Sequence, residues 1–111
     1  MSENRMRPVH PGEVLRTEFL ESLDMSVNAL ALRLRVPPTR LHEIVKERRS
    51  VTADTAMRLA RFFGGDAQSW LNLQSAYDLR MAEIALAAEI REDVMPYGEE
   101  PTNSGSVRRR R

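Results

Sequence analysis

Two adjacent prolines, Pro37 and Pro38, separate two short apolar patterns of helical period, and that punctuation limits what the middle of this chain can become. Upstream, Val27, Leu30, Ala31 and Leu34 fall at i, i+3, i+4 and i+7, one face of a helix. Ser26 precedes them as an N-cap, whose hydroxyl can accept from an unpaired first-turn amide. The helix must stop near Val36, because proline disfavours helical geometry in the residue before it. Pro38 then suits the first turn of another helix, where its missing N–H is no loss. This next helix is expected to reach Arg48 and to bury Leu41, Ile44 and Val45.

The flanks carry the same period. A helix is expected over 12–23 on the stripe Leu15, Phe19 and Leu23. Thr52 is placed to cap a fourth helix with Ala56, Leu59, Ala60 and Phe63 inside, ended by Gly64 and Gly65. Asp66 can cap a long fifth helix over 67–93, with Trp70, Leu73, Tyr77, Met81, Ile84 and Ala88 along one side. There is no strand pattern and no internal repeat, so the fold class is all-α, a five-helix bundle. The organisation expected is a flexible lead-in over 1–11, one domain over 12–93, and a disordered tail over 94–111.

A chain of 111 residues has room for one modest domain. No apolar run approaches the ~18 residues a transmembrane helix needs, and the N-terminus has no apolar signal core. With no cysteine there is neither a disulfide framework nor a thiolate metal site. Cytoplasmic residence is the expectation, with no membrane association. His10 and His42, the two histidines, stand far apart with no carboxylate pair spaced to join them, so no metal or other cofactor is expected. No nucleophile–base set or phosphate loop is present either, which points away from an enzyme.

Net charge is +1, yet it is segregated. Residues 33–61 carry eight basic side chains against three acidic ones, a net of +5, while 62–107 carry two against eight, a net of −6. A basic middle on an acidic body is the footprint of a nucleic-acid face, though a solvated surface would read the same from charge alone.

The spacing decides in favour of a helix-turn-helix. Two short helices that cross closely need a small residue at the contact, which Ala31 supplies; Leu41 and Ile44 lock the second helix, and Val36 fills the turn. The outward face of the second helix must be polar from its N-terminus, since those side chains reach base edges. Here that face is Pro38, Thr39, Arg40, His42, Glu43 and Lys46. Arg40 is the best direct reader, because a guanidinium donates two bonds to guanine O6 and N7, and Glu43 can accept from cytosine N4 or hold Arg40 in place. Lys46, Arg48 and Arg49 suit phosphates, and Ser26, Asn28 and Thr52 sit at helix starts that grip phosphate oxygens. One position departs from the usual motif: Arg35 stands in the turn where glycine is commonest. Left-handed geometry there costs an arginine roughly 1 kcal/mol or more, so the Pro-Pro turn is expected to use other angles.

With these residues in view, the chain resembles the HigA-type (VapI-like) antitoxins of the XRE helix-turn-helix superfamily, over about residues 8–83. The resemblance rests on HPGEVLRTEFLESL, VPPTRLHEIVKERRSVTADTAMRLARFFG and WLNLQSAYDL. It departs at Lys46-Glu47-Arg48-Arg49-Ser50, where the family has Asn-Gly-Arg-Arg-Gly, at Arg35, and beyond Ile84. It implies a lambda-repressor-like fold and a homodimer on a palindromic operator in its own promoter. It also implies a tight complex with a HigB/RelE-like toxin that cleaves mRNA. DNA contacts would map to Thr39, Arg40, His42, Glu43, Lys46, Arg48 and Arg49. The seam of a dimer is expected along the fifth helix at Tyr77, Met81, Ile84 and Ala88, setting the two reading helices roughly 34–36 Å apart. The alternative is a stand-alone XRE-type repressor without a toxin.

Overall fold

The computed structural model describes residues 7–99, and every regular element among them is helical. Helix α1 runs unbroken from Pro11 to Leu23, as α-helical turns Pro11–Val14 and Glu21–Leu23 around a π-helical segment Leu15–Leu20. It is followed by α2 (Val27–Leu34), α3 (Pro38–Val45), α4 (Ala53–Phe63) and α5 (Ala67–Asp93). One compact unit extends through Arg80. From Met81 onward α5 continues as a second unit in which every described residue is exposed. The chain after Asp93 makes one turn, closed by Glu99 N–H to the Pro96 carbonyl at 3.1 Å. Arg108 to Arg111 lie outside the described residues.

The core forms where the apolar stripes meet. Leu15, Leu30, Leu41, Ile44 and Leu59 are fully buried, each contributing roughly 1.5–3 kcal/mol by leaving water. Ala31 is fully buried as well, the small side chain that lets α2 and α3 cross closely. Trp70 closes one side against Phe19, with ring centres 5.5 Å apart.

Three boundaries differ from the sequence reading, each for a local reason. The π-helical turn inserts a residue into the α1 stripe, so Leu20 is buried in place of Leu23, which is 54% exposed. Helix α3 ends at Val45 rather than Arg48, because Glu47 turns left-handed and Arg48 N–H bonds back to the Glu43 carbonyl at 2.9 Å. The expected lead-in is ordered from its last residues onward. His10 is 3% exposed and caps α1, its Nδ1 accepting from Gly12 N–H at 2.8 Å, and Pro11 is buried in the first turn.

Gly12 explains why α1 can hold α3. Its missing side chain lets the backbone lie directly on the carbonyl of Ile44, near the end of α3. Arg16 donates to the next carbonyl, that of Val45, and pairs with Glu47 at 3.5 Å. The loop between α3 and α4 is held by α5. Gln74, buried, accepts from Val51 N–H at 2.8 Å and donates to Asp78 at 2.9 Å. That fixes the loop following the turn.

Two outcomes follow. Gly12→Ala pushes a methyl into a backbone carbonyl and is expected to cost about 3 kcal/mol or more in urea unfolding; a loss within 0.5 kcal/mol would mean that α1 and α3 do not meet this closely. Burial pushes the His10 imidazole below its ordinary value near 6.5, against the weaker pull of Glu47 and Asp78. The unfolded chain therefore takes up this proton more readily than the folded one. His10's contribution is complete above about pH 6.5 and is lost as pH falls through the lower folded value. Urea midpoints between pH 7.5 and 5 should fall in the wild type and fall less in His10→Asn, which retains a capping side chain. Parallel curves would contradict the buried neutral imidazole.

Candidate nucleic-acid interface

The turn between α2 and α3 is built on Arg35, which takes φ 62 and ψ 44. The expectation that Pro37-Pro38 would impose other angles does not hold: the residue is left-handed, as a helix-ending glycine would be. Val36 N–H closes it on the Ala31 carbonyl at 3.1 Å, and Val36 is buried beneath. That backbone bond and the buried valine offset the steric cost at Arg35. Pro37 is extended and caps α3, and Pro38 occupies its first turn.

Helix α3 turns Leu41, Ile44 and Val45 inward and leaves Pro38, Thr39 and Lys46 exposed. The remaining polar side chains form three intramolecular pairs. His42 Nε2 lies 2.9 Å from Asn28 Oδ1, joining the outward faces of α3 and α2. Glu43 accepts from Arg48 Nε at 3.1 Å and Nη2 at 3.0 Å, and that guanidinium holds its carboxyl below the ordinary carboxylate range. Arg40 Nη1 donates to Asp54 Oδ2 at 2.6 Å, and lies 3.4 Å from Oγ1 of the buried Thr55. Glu43 thus faces Arg48, not Arg40 as one reading of the sequence had it.

At the helix starts, Ser26 Oγ accepts from Ala29 N–H at 3.0 Å, so its capping duty leaves only the hydroxyl proton to offer a phosphate. Thr52 occupies the N-cap position of α4, but its side chain makes no capping bond. The expectation that its hydroxyl caps the helix does not hold, and the residue is exposed. Arg49 and Lys46 are exposed in the loop after α3, where both pull the Glu43 carboxyl down.

Sequence reasoning missed the far side of these pairs. Asp54 also accepts from Arg58 Nε, 3.1 Å from each carboxylate oxygen, and Arg58 Nη1 donates to the Leu34 carbonyl at 2.9 Å, at the end of α2. Both guanidinia lower the Asp54 carboxyl, the hydrogen bond from Arg40 being the largest single cause. The i, i+4 spacing of Asp54 and Arg58 is a readable helical pair; the link to Arg40, fourteen residues away, is not.

A two-helix element with a short turn, a polar outer face and cationic flanks has counterparts among known proteins. A family profile described as helix-turn-helix matches residues 17–70. Virulence-associated protein I of Dichelobacter nodosus is 60% identical over 81 residues, covering 73% of this chain and 75% of that protein. Antitoxin HigA-1 of Vibrio cholerae is 35% identical over 79 residues, 71% of this chain and 74% of its own. The solved structure of the Pseudomonas aeruginosa antitoxin HigA with the higBA promoter superimposes with a TM-score of 0.80 at 46% identity, covering 82% of this chain and 99% of that one. The chain belongs to the HigA-type (VapI-like) family of the XRE helix-turn-helix superfamily. Its departures from the family pattern now have geometry. Glu47, standing where the family has glycine, takes φ 64, so the two non-glycine residues Arg35 and Glu47 bracket α3 in left-handed conformations.

Proposed function

We propose that this chain is a homodimeric, operator-binding autorepressor that also neutralises a HigB/RelE-like mRNA-cleaving toxin. The observation that carries the DNA-binding reading is the exposed polar face of α3, flanked by Lys46, Arg48 and Arg49 within a segment of net charge +5. Similarity to the Pseudomonas aeruginosa HigA solved with its promoter supports operator DNA as the ligand. In this reading Thr39 and Arg40 meet base edges, while Lys46, Arg49, Thr52 and the hydroxyl of Ser26 meet phosphates. Asn28 and His42, already bonded to each other, approach the duplex as a pair. Glu43 keeps Arg48 on the phosphate side.

Dimerisation along α5 fits the exposed apolar side chains Met81 and Ile84, 43% and 59% exposed, with Ala88 one turn on. Tyr77 takes a different part from its neighbours on that stripe. It is half-buried, edge-on to His10 of its own chain with ring centres 4.8 Å apart. The toxin reading rests on the likeness to HigA antitoxins. A basic partner would find Glu18 and Glu21 exposed on α1, whereas Glu13 is engaged by Arg7 at 2.7 Å.

Arg40→Ala is expected to weaken operator binding by about 1–3 kcal/mol and to relax discrimination at one base pair per half-site. Arg49→Ala should weaken operator and random duplexes alike and reduce the salt slope by about one unit. Titrations of both variants at several salt concentrations check this; equal losses from Arg40→Ala on both duplexes would remove its base-reading role. Co-purification with the product of an adjacent small reading frame tests the toxin reading, and a chain that binds promoter DNA but no such product would stand as a simple repressor.

A further inference from the structure

The reader on α3 is held by a residue outside the motif. Arg40 uses Nη1 for both of its bonds, to Asp54 and Thr55, which leaves its Nε and Nη2 edge without a hydrogen bond among the described residues. Asp54 is itself fixed by Arg58, and Arg58 by the Leu34 carbonyl, so the anchor is shared by α2 and α4. An arginine side chain ordinarily loses much rotamer freedom when it docks on a base; one already tethered through Nη1 has lost it before DNA arrives. The carboxylate acts a second way. Asp54 is half-exposed in the first turn of α4, and its charge opposes any phosphate brought near it.

We infer that Asp54 is a positioning residue for sequence discrimination: it aims Arg40 at a base on the correct duplex and repels DNA that offers Arg40 no acceptor. The inference rests on the DNA-binding reading and names the residue that sharpens it. Its net effect has opposite signs on the two: on correct DNA the aiming of Arg40 outweighs the repulsion of phosphate, and on incorrect DNA the repulsion alone remains. A residue that merely stabilised the fold would move both in one direction.

The test uses the full chain, a duplex that the wild-type protein selects from a randomised pool, and a scrambled duplex of equal length. Asp54→Asn should weaken binding to the selected duplex and strengthen binding to the scrambled one, lowering the ratio roughly 10-fold, the size of one good base contact. Asp54→Glu should recover part of the ratio. In an Arg40→Ala background, Asp54→Asn should change the ratio by less than about twofold, because the residue it serves is gone. Melting temperatures taken alongside separate folding from binding. Equal weakening of both duplexes by Asp54→Asn would overturn the inference, as would an undiminished loss of discrimination in the Arg40→Ala background. If the wild type selects no duplex at all, the DNA-binding reading itself fails and this inference with it.

Discussion

An eight-residue helix has too few internal hydrogen bonds to persist in water, and α3, the element that would meet DNA, is eight residues long. Its geometry is therefore imposed from outside. The contact that imposes it is the bare backbone of Gly12 lying on the Ile44 carbonyl, supported by Arg16 on the Val45 carbonyl. These two interactions hold the C-terminal end of α3, while Arg40 and Asp54 hold the N-terminal end. Between them Leu41 and Ile44 are fully buried in the core. Every outward side chain of the motif inherits its position from this clamping.

The clamp also accounts for the placing of His10. Its ring accepts from the Gly12 amide, so the residue that must lie flat on α3 is oriented by an imidazole buried under Tyr77 of α5. Helix α1, the end of α3 and the early turns of α5 are in this way one packed assembly. Polar groups do the orienting and the leucines around them supply the free energy.

Much of this was legible in the sequence, and the reasons for the remainder are physical. The five helices, the small residue at Ala31 and the break at Pro37 follow from period and from proline chemistry, which are local. The left-handed turn at Arg35 was not legible. Its cost is local, but what offsets it, Val36 closing on Ala31 over a buried valine, belongs to the folded chain. Likewise the π-helical turn that exchanges Leu23 for Leu20 is invisible to a search at a fixed 3.6-residue period. On α3, the side that faces the core and the side that does not could be read from spacing, whereas the pairings could not. Asn28 with His42 and Arg40 with Asp54 each join residues fourteen apart on different helices.

Helix-turn-helix proteins invite the idea that the reading helix is a cassette, exchangeable to retarget a scaffold. The anchoring of Arg40 by a carboxylate on α4, which Arg58 links to the last carbonyl of α2, makes the transplantable unit larger than α3. A graft of residues 38–45 into another scaffold would carry the guanidinium without its counter-ion. Conversely, a foreign helix placed here would leave Asp54 facing whatever replaced Arg40. If Arg40 reads a base as proposed, the position that chooses a DNA sequence is also one that joins three helices, and changes of target must come as coordinated sets.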